Sequence, residues 1–349
     1  MAYTPIDKSD DYFNTITYTG DGTTKSITGV GFQPDWVWVK RRNGTTPHVL
    51  YDAVRGTGKQ LISNDSSVEA TNNQYGYISD FESDGFEVTV GSTSITRVNG
   101  SGGTYVAWNW LGANGTASNT DGSITSTVSA NTTSGFSIVS YTGNSTSNAT
   151  VGHGLGVTPG MIIVKNRDDA DNWRVWHQGL SGSTYYVGLN QSNAESSSST
   201  VFNGQSSTTF TIGNDPAVNQ NTENIIAYCF AEKKGFSKFG SYTGNGSTDG
   251  TFVYTGFKPA FVMVKNTGAA ENWIIFDNKR PGYNLTDALL KPNLSNAEST
   301  TGVKFDLLSN GFKARVSDAE GNSSGGNFIY MAFAENPFVT STGIPTPAR

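Results

Sequence analysis

The same apolar strand ends in a lysine three times in this 349-residue sequence: Lys40 in GFQPDWVWVK, Lys165 in GVTPGMIIVK and Lys265 in GFKPAFVMVK. In two copies an acid follows the next apolar run with an arginine three residues later, as Asp52 with Arg55 and Asp277 with Arg280. A cation, a carboxylate and a guanidinium at one loop end are the groups that hold a sugar or a carboxylate ligand. The middle copy has His177 in place of the acid and no matching arginine, so a ligand site of this kind survives in at most two copies. A structural ion pair or a turn-fixing hydrogen bond explains the pattern better. Glu69, Glu195 and Glu298 also recur, each after a turn-like SVE or NAE. They read as turn caps, since nothing pairs them into the two carboxylates of a glycosidase.

Other constellations are sparse. The three histidines, His48, His153 and His177, sit at unrelated landmarks, so no histidine-based triad repeats through the chain. GHGLG at 152–156 and RGTGKQ at 55–60 lack the spacing or the hydroxyl residue of a phosphate loop and read as glycine turns. No catalytic, cofactor or metal residue is assigned. NRDDADN, 166–172, holds Asp168, Asp169 and Asp171 beside Arg167, oxygen ligands of the kind calcium takes, but RRNGTTP and NTGAAEN at the corresponding places do not keep them. The segments that differ between copies are the candidate recognition loops: Arg167, Asp168, Asp169 and Asp171 in the first, Asn219 and Asn221 in 215–224, and Asp318, Glu320 and Asn322 in 318–327.

The elements that must position these residues are β-strands. Gly contributes 41 positions and charged residues only 15%. Short runs rich in Val, Ile, Phe, Tyr and Thr alternate with Gly, Asn-Gly and Asp-Gly turns. The fold expected is all-β, built as three tandem antiparallel β-sandwich domains of jelly-roll or lectin type. YTG opens the copies at Tyr18, Tyr141 and Tyr242, and YVAWNW, IIAYCFAE and IYMAFAE close them. The expected boundaries are 1–113 with a short N-terminal arm, a Ser/Thr/Gly/Asn linker at 114–134 with at most a marginal strand near Ile124 to Val128, then 135–234, and 235–349 with a C-terminal tail. Only NLTDALLKPNLSNAES, 284–299, suggests a helical turn, interrupted by Pro292. The repeated strand is apolar at every position from Trp36 to Val39, which puts it mid-sheet with its second face covered by a loop, a neighbouring domain or another subunit.

The net charge of −6 disfavours a nucleic acid partner, and the single cysteine, Cys229, excludes an intramolecular disulfide framework. No signal-like N-terminus and no long apolar run is present, so membrane insertion is not expected and synthesis in the cytoplasm is.

YTG, GFQPDWVWVK, HVLYDAVRG, LISNDSSVEA, DFESDGFEV and YVAWNW resemble the tandem modules of tail fibres and other virion structural proteins of tailed bacteriophages, especially marine and cyanobacterial ones. The resemblance runs in weaker form over the later copies, and in the second copy WHQGLSG and TTFTIG replace the D-x-x-R-G and DGF elements. It implies a non-enzymatic virion protein made in the host cytoplasm: a tail fibre or host-glycan recognition component, with a capsid decoration or head-fibre protein as alternative and a polysaccharide depolymerase as a lesser one. The expected partners are further copies of itself, a trimer by preference, other virion proteins and host cell-surface glycans.

Overall fold

The computed structural model describes residues 4–281 and 284–336. They are nearly all-β, in several antiparallel sheets, with one short α-helix at Pro216–Asn219 and a 3-10 turn at Ser9–Asp11 among the described residues. Each repeat builds the same sheet nucleus. The YTG strand (Phe13–Thr19, Phe136–Thr142, Ser237–Thr243) pairs with the closing strand (Thr104–Trp110, Asn224–Phe230, Asn327–Asn336). The closing strand pairs with the lysine-ended strand (Trp36–Arg41, Met161–Asn166, Lys258–Asn266), and that with a short fourth (Val49–Asp52, Arg174–His177, Ile274–Asp277). A three-stranded sheet lies over each nucleus: Lys25–Thr28, Gly85–Thr89 and Tyr77–Glu82; Ala149–Gly152, Thr209–Ile212 and Phe202–Gln205; Phe252–Tyr254, Gly311–Ala314 and Phe305–Leu308.

A strand presents successive side chains to opposite faces, and here the two faces serve different cores. Val37 and Val39 pack with Ile27, Ile78, Phe86 and Val88 of the overlying sheet, closing a core private to the first repeat. Ile162 with Val164 and Val262 with Val264 do the same in the second and third. Trp36, Trp38, Met161, Ile163, Phe261 and Met263 point the other way, into one cluster to which all three repeats contribute. At its centre the same position of each closing strand supplies an aromatic ring. Trp110, Phe230 and Phe333 form a triangle with centroid separations of 6.4, 5.8 and 6.2 Å. Trp36 also reaches across the repeat boundary to stack on Tyr228 at 4.4 Å. The second apolar face is thus covered by neighbouring repeats of the same chain. At about 1.5–3 kcal/mol per large side chain removed from water, this shared core is the main force holding the repeats together.

The YTG signature has a local cause. The glycine follows a strand and runs against another loop's backbone, so that a Cβ at Gly20, Gly143 or Gly244 would lie 2.2–2.3 Å from a carbonyl oxygen. The tyrosine hydroxyl fixes the same contact, donating to Val98 O, Val218 O and Gly321 O at 2.5–2.7 Å.

Two expectations need correction. The 114–134 segment is not a free linker: Ala117–Asn119 and Ser126–Asn131 pair with each other and extend the second repeat's sheet. Its start is clamped where Gly112 N donates to Asp35 and Ala113 N to Ser129 Oγ. Polar strands suffice there because the inner neighbour Phe136–Thr142 supplies a paired edge, Val128 is buried, and the buried serines are bonded, Ser126 Oγ donating to Gly152 O and Ser129 Oγ accepting from Ala113 N. Where a helical turn is expected in 284–299, the described residues run extended, bridged from Thr286 to Phe305 and from Leu289 to Ser299. The ladder partners outweigh the Leu/Ala helix propensity.

Candidate functional site

The recurring charged residues meet at the boundaries between repeats. A segment that reads Asn-x-Ser-x-x-Glu in every copy (64–69, 190–195, 293–298) straps each repeat onto the next. Its asparagine anchors it at home, accepting from the backbone N of His48, Trp173 and Trp273. Its glutamate backbone N donates outward: Glu69 to Arg167 O, Glu195 to Thr267 O, and Glu298 to Arg42 O. The first repeat therefore grips the second, the second the third, and the third returns to the first. This head-to-tail contact closes into a ring within one chain. Two straps add an ion pair, Arg167 Nε and Nη2 to Glu69 at 2.9 Å and Arg42 to Glu298 at 2.8–2.9 Å.

The lysines end strands on the shared-core side and are buried. Lys40 Nζ donates to Arg41 O, Gly44 O, Thr46 O and, across the boundary, Ser295 O of the third repeat's strap. Lys265 Nζ likewise takes Asn266 O, Ala269 O and Ser192 O of the second repeat's strap. Lys165 Nζ takes Asn166 O and Asp169 O. Each ammonium is held by carbonyl dipoles, with no carboxylate in contact among the described residues. Burial pulls Lys40 down to about 7, helped by the Arg41 charge, and Lys165 and Lys265 down to about 8. The unfolded lysine titrates near 10.4. The unfolded chain therefore binds more protons than the folded one above about pH 7, and stability rises with pH across that window. Urea unfolding should show a gain of roughly 5 kcal/mol from pH 7 to pH 9, about half of it lost in Lys40→Met; a flat profile would refute the buried-amine account. The interval stops at pH 9 because burial raises the Cys229 thiol above its ordinary 9.0 and opposes the trend beyond it.

The acid positions make a second set of contacts at the other end of these strands. Asp52 accepts from Tyr228 Oη at 2.7 Å, and Asp277 from Trp108 Nε1 at 3.0 Å, each in another repeat. Arg55 and Arg280 fork between these buried acids, the strap glutamates Glu69 and Glu298, and the carbonyls of Leu50 and Ile275. For both glutamates burial acts to raise the carboxyl, but the arginines outweigh it and hold the group below its usual range. The second repeat explains its own departure. At the donor position that Trp108 and Tyr228 hold for the other two, its neighbour is Met331, which has no proton to donate, and His177 stands where the acid would be. His177 Nε2 faces Tyr330 O at 3.0 Å while Nδ1 accepts from Gly179 N at 2.9 Å. Burial drives this ring down to about 4, so it is neutral and donates.

The sequence-predicted recognition residues are for the most part employed internally. Arg167 is in the Glu69 ion pair. Asp168 accepts from Asn224 N and Nδ2 at 2.7 and 2.8 Å, Asp169 caps Ala170 N and gives its carbonyl to Lys165, and Asp171 faces Asn166 at 3.3 Å. These carboxylates turn to backbone and amide donors, and among the described residues no group of three or more His, Cys, Asp or Glu is arranged to hold a metal ion. Asn219 and Asn322 are fully buried and pin the loop after YTG, a task Asn99 performs in the first repeat. They are repeated structural residues that a fourth landmark, asparagine six positions before the closing strand's first aligned residue, would have revealed. Asn221 is exposed and binds Ser145 Oγ through its backbone N. Asp318 and Glu320 do line a cavity of about 440 Å³ in the third repeat, with Lys291, Leu289 and Leu294 around them. Glu320 there accepts from Lys291 Nζ at 2.5 Å and Asn272 Nδ2 at 2.6 Å.

The residues that sequence reasoning missed are on the outer sheet of the third repeat. Phe252 and Tyr254, 44% and 59% exposed, flank buried Val253 and point to solvent. The same positions are Ser26 and Thr28 in the first repeat and Thr150 and Gly152 in the second. An aromatic pair on a face that is otherwise polar was detectable by aligning the repeats at Ile27, Val151 and Val253.

No curated protein and no solved structure shows a significant match to this chain. One family model does, over residues 8–337, a span that takes in all three repeats and so the whole ring. The chain belongs to the DUF7483 family, a domain of unknown function.

Proposed function

We propose that the protein is a non-enzymatic structural and adhesion component of a phage virion, acting in a tail fibre or in recognition of host-surface glycans. The observation that carries the non-enzymatic part is where the reactive groups go. Buried Lys, Asp, Arg, Glu and His side chains are bonded across repeat boundaries, which makes a rigid platform and leaves them unavailable for chemistry. The virion assignment rests on the resemblance of the first repeat's motifs, and location in the virion after cytoplasmic synthesis belongs to the same proposal. Each sheet pair is read as a sandwich of the lectin kind, whose exposed faces and loops carry recognition. Phe252 and Tyr254 are the surface best suited to a sugar, since an aromatic face meets the apolar face of a pyranose while Lys313 and Asp249 beside them offer polar contacts. A capsid decoration role uses the same platform with another virion protein as partner. A depolymerase is the least supported reading.

The homo-trimer loses the motive it has in the sequence, because the apolar face is filled inside one chain. The expected result on a glycan array of host surface polysaccharides is binding without turnover, weakened about tenfold by Tyr254→Ala, a loss of about 1.4 kcal/mol. Release of reducing ends would instead establish the depolymerase, and absence of binding would leave the decoration role, settled by labelling the protein in intact particles.

A further inference from the structure

The three straps are not equal, and the odd one borders an open pocket. At the first and third boundaries the strap glutamate meets two guanidinium groups: Glu69 has Arg55 and Arg167, and Glu298 has Arg280 and Arg42. At the second boundary both are missing, since Leu180 stands in the place of Arg55 and Thr267 in the place of Arg167. The backbone is unchanged: Glu195 N to Thr267 O is 2.9 Å, against 2.8 and 2.7 Å for the other two. Only the side chains are shorter. The space they leave is a pocket of about 260 Å³ lined by Glu195, Thr267, Gly179, Ser181, Ser241 and Asn327. Glu195 takes Ser181 N at 3.0 Å and Ser181 Oγ at 2.5 Å, but no cationic side chain pairs with it among the described residues.

We propose that this pocket binds a guanidinium group supplied from outside the chain, which restores at the second boundary what arginine provides at the other two. The carboxylate supplies charge and two acceptor oxygens for a planar fork, and the serine and threonine hydroxyls accept further N–H bonds. The caged ammonium of Lys265 two residues from Thr267 does not forbid a cation, because Lys40 and Lys165 stand in the same relation to Arg42 and Arg167. The volume is below the roughly 300–1,000 Å³ of sites that enclose drug-sized ligands and suits a single side chain or a small cation. The guanidinium comes from an arginine of a docking protein or from a free guanidino compound. This inference stands independently of the virion reading.

The test is calorimetric titration of the full chain with agmatine, with N-acetyl-arginine methylamide as the protein side-chain probe, and with butylamine as an ammonium control. Saturable binding near about 1 mM, at least tenfold tighter than butylamine, is expected. Tighter binding of the amide assigns the site to a partner's arginine, and tighter binding of agmatine to a free compound. Glu195→Gln should weaken either at least tenfold. Thr267→Arg should abolish binding and raise the unfolding temperature, because its own guanidinium then occupies the space. Absence of saturable binding to the wild-type chain, equal affinity for butylamine, or binding unchanged in both variants would each overturn the proposal.

Discussion

Replacing Arg280 by Ala should cost the protein about 3–5 kcal/mol, enough to take a large share of the stability of an ordinary domain. The reason is what it leaves behind. Asp277 is fully buried and Glu298 nearly so, and Arg280 binds both through Nε and Nη1 while Nη2 satisfies Ile275 O. Without the guanidinium two carboxylates face each other's surroundings with only Trp108 Nε1, Arg42 and nearby backbone N–H groups for compensation. Arg280 also lies 5.7 Å from the centre of the Trp108 ring of the first repeat, so the loss is felt across the boundary that closes the ring. Arg280→Lys should rescue little, since a point ammonium cannot replace a fork that reaches three acceptors at once. Adding Asp277→Asn to Arg280→Ala should recover part of the loss, as neighbours in one network are not additive. Chemical denaturation of the four proteins checks this, and a cost for Arg280→Ala under about 1 kcal/mol would show that the clasp is ornamental to stability.

Trp36→Ala should cost a comparable amount, about 3–5 kcal/mol, and should do so without dividing the unfolding transition. Trp36 is 1% exposed and its ring lies 4.4 Å from both Trp110 and Tyr228, 5.7 Å from Phe136 and 5.8 Å from Phe230. Most of those neighbours belong to the second repeat. A cavity opened here removes contacts from two repeats at once, and the third feels it through the Trp110, Phe230 and Phe333 triangle. Calorimetry of the wild-type chain should show a single transition whose calorimetric and van't Hoff enthalpies agree, with the Trp36→Ala transition lower but still single. Separate transitions for separate repeats would mean that the private cores, and not the shared one, set the unit of folding.

Both predictions turn on a difference between what a strand pattern specifies and what covers it. The apolar runs, the turn residues and the YTG, lysine and glutamate landmarks state an all-β chain with three copies of one unit, because strand periodicity and turn chemistry act over a few residues. The same run from Trp36 to Val39 says that both faces are buried but is silent on what lies over the second, since burial depends on atoms far away in the chain. The tertiary structure decided that the cover is the other two repeats, which is why the apolar face gives no reason for further subunits. It likewise decided the meaning of Lys40, Arg42, Arg280 and Glu298: residues more than 200 positions apart meet only once the third repeat folds back on the first. His177 in place of an acid looks like a lost site in the sequence and is a matched donor once Tyr330 O is found opposite it. Composition and local pattern determine the strands and their repetition; long-range packing of side chains determines the ring, its clasps and the difference at the second boundary, where Leu180 and Thr267 stand in the places of arginines.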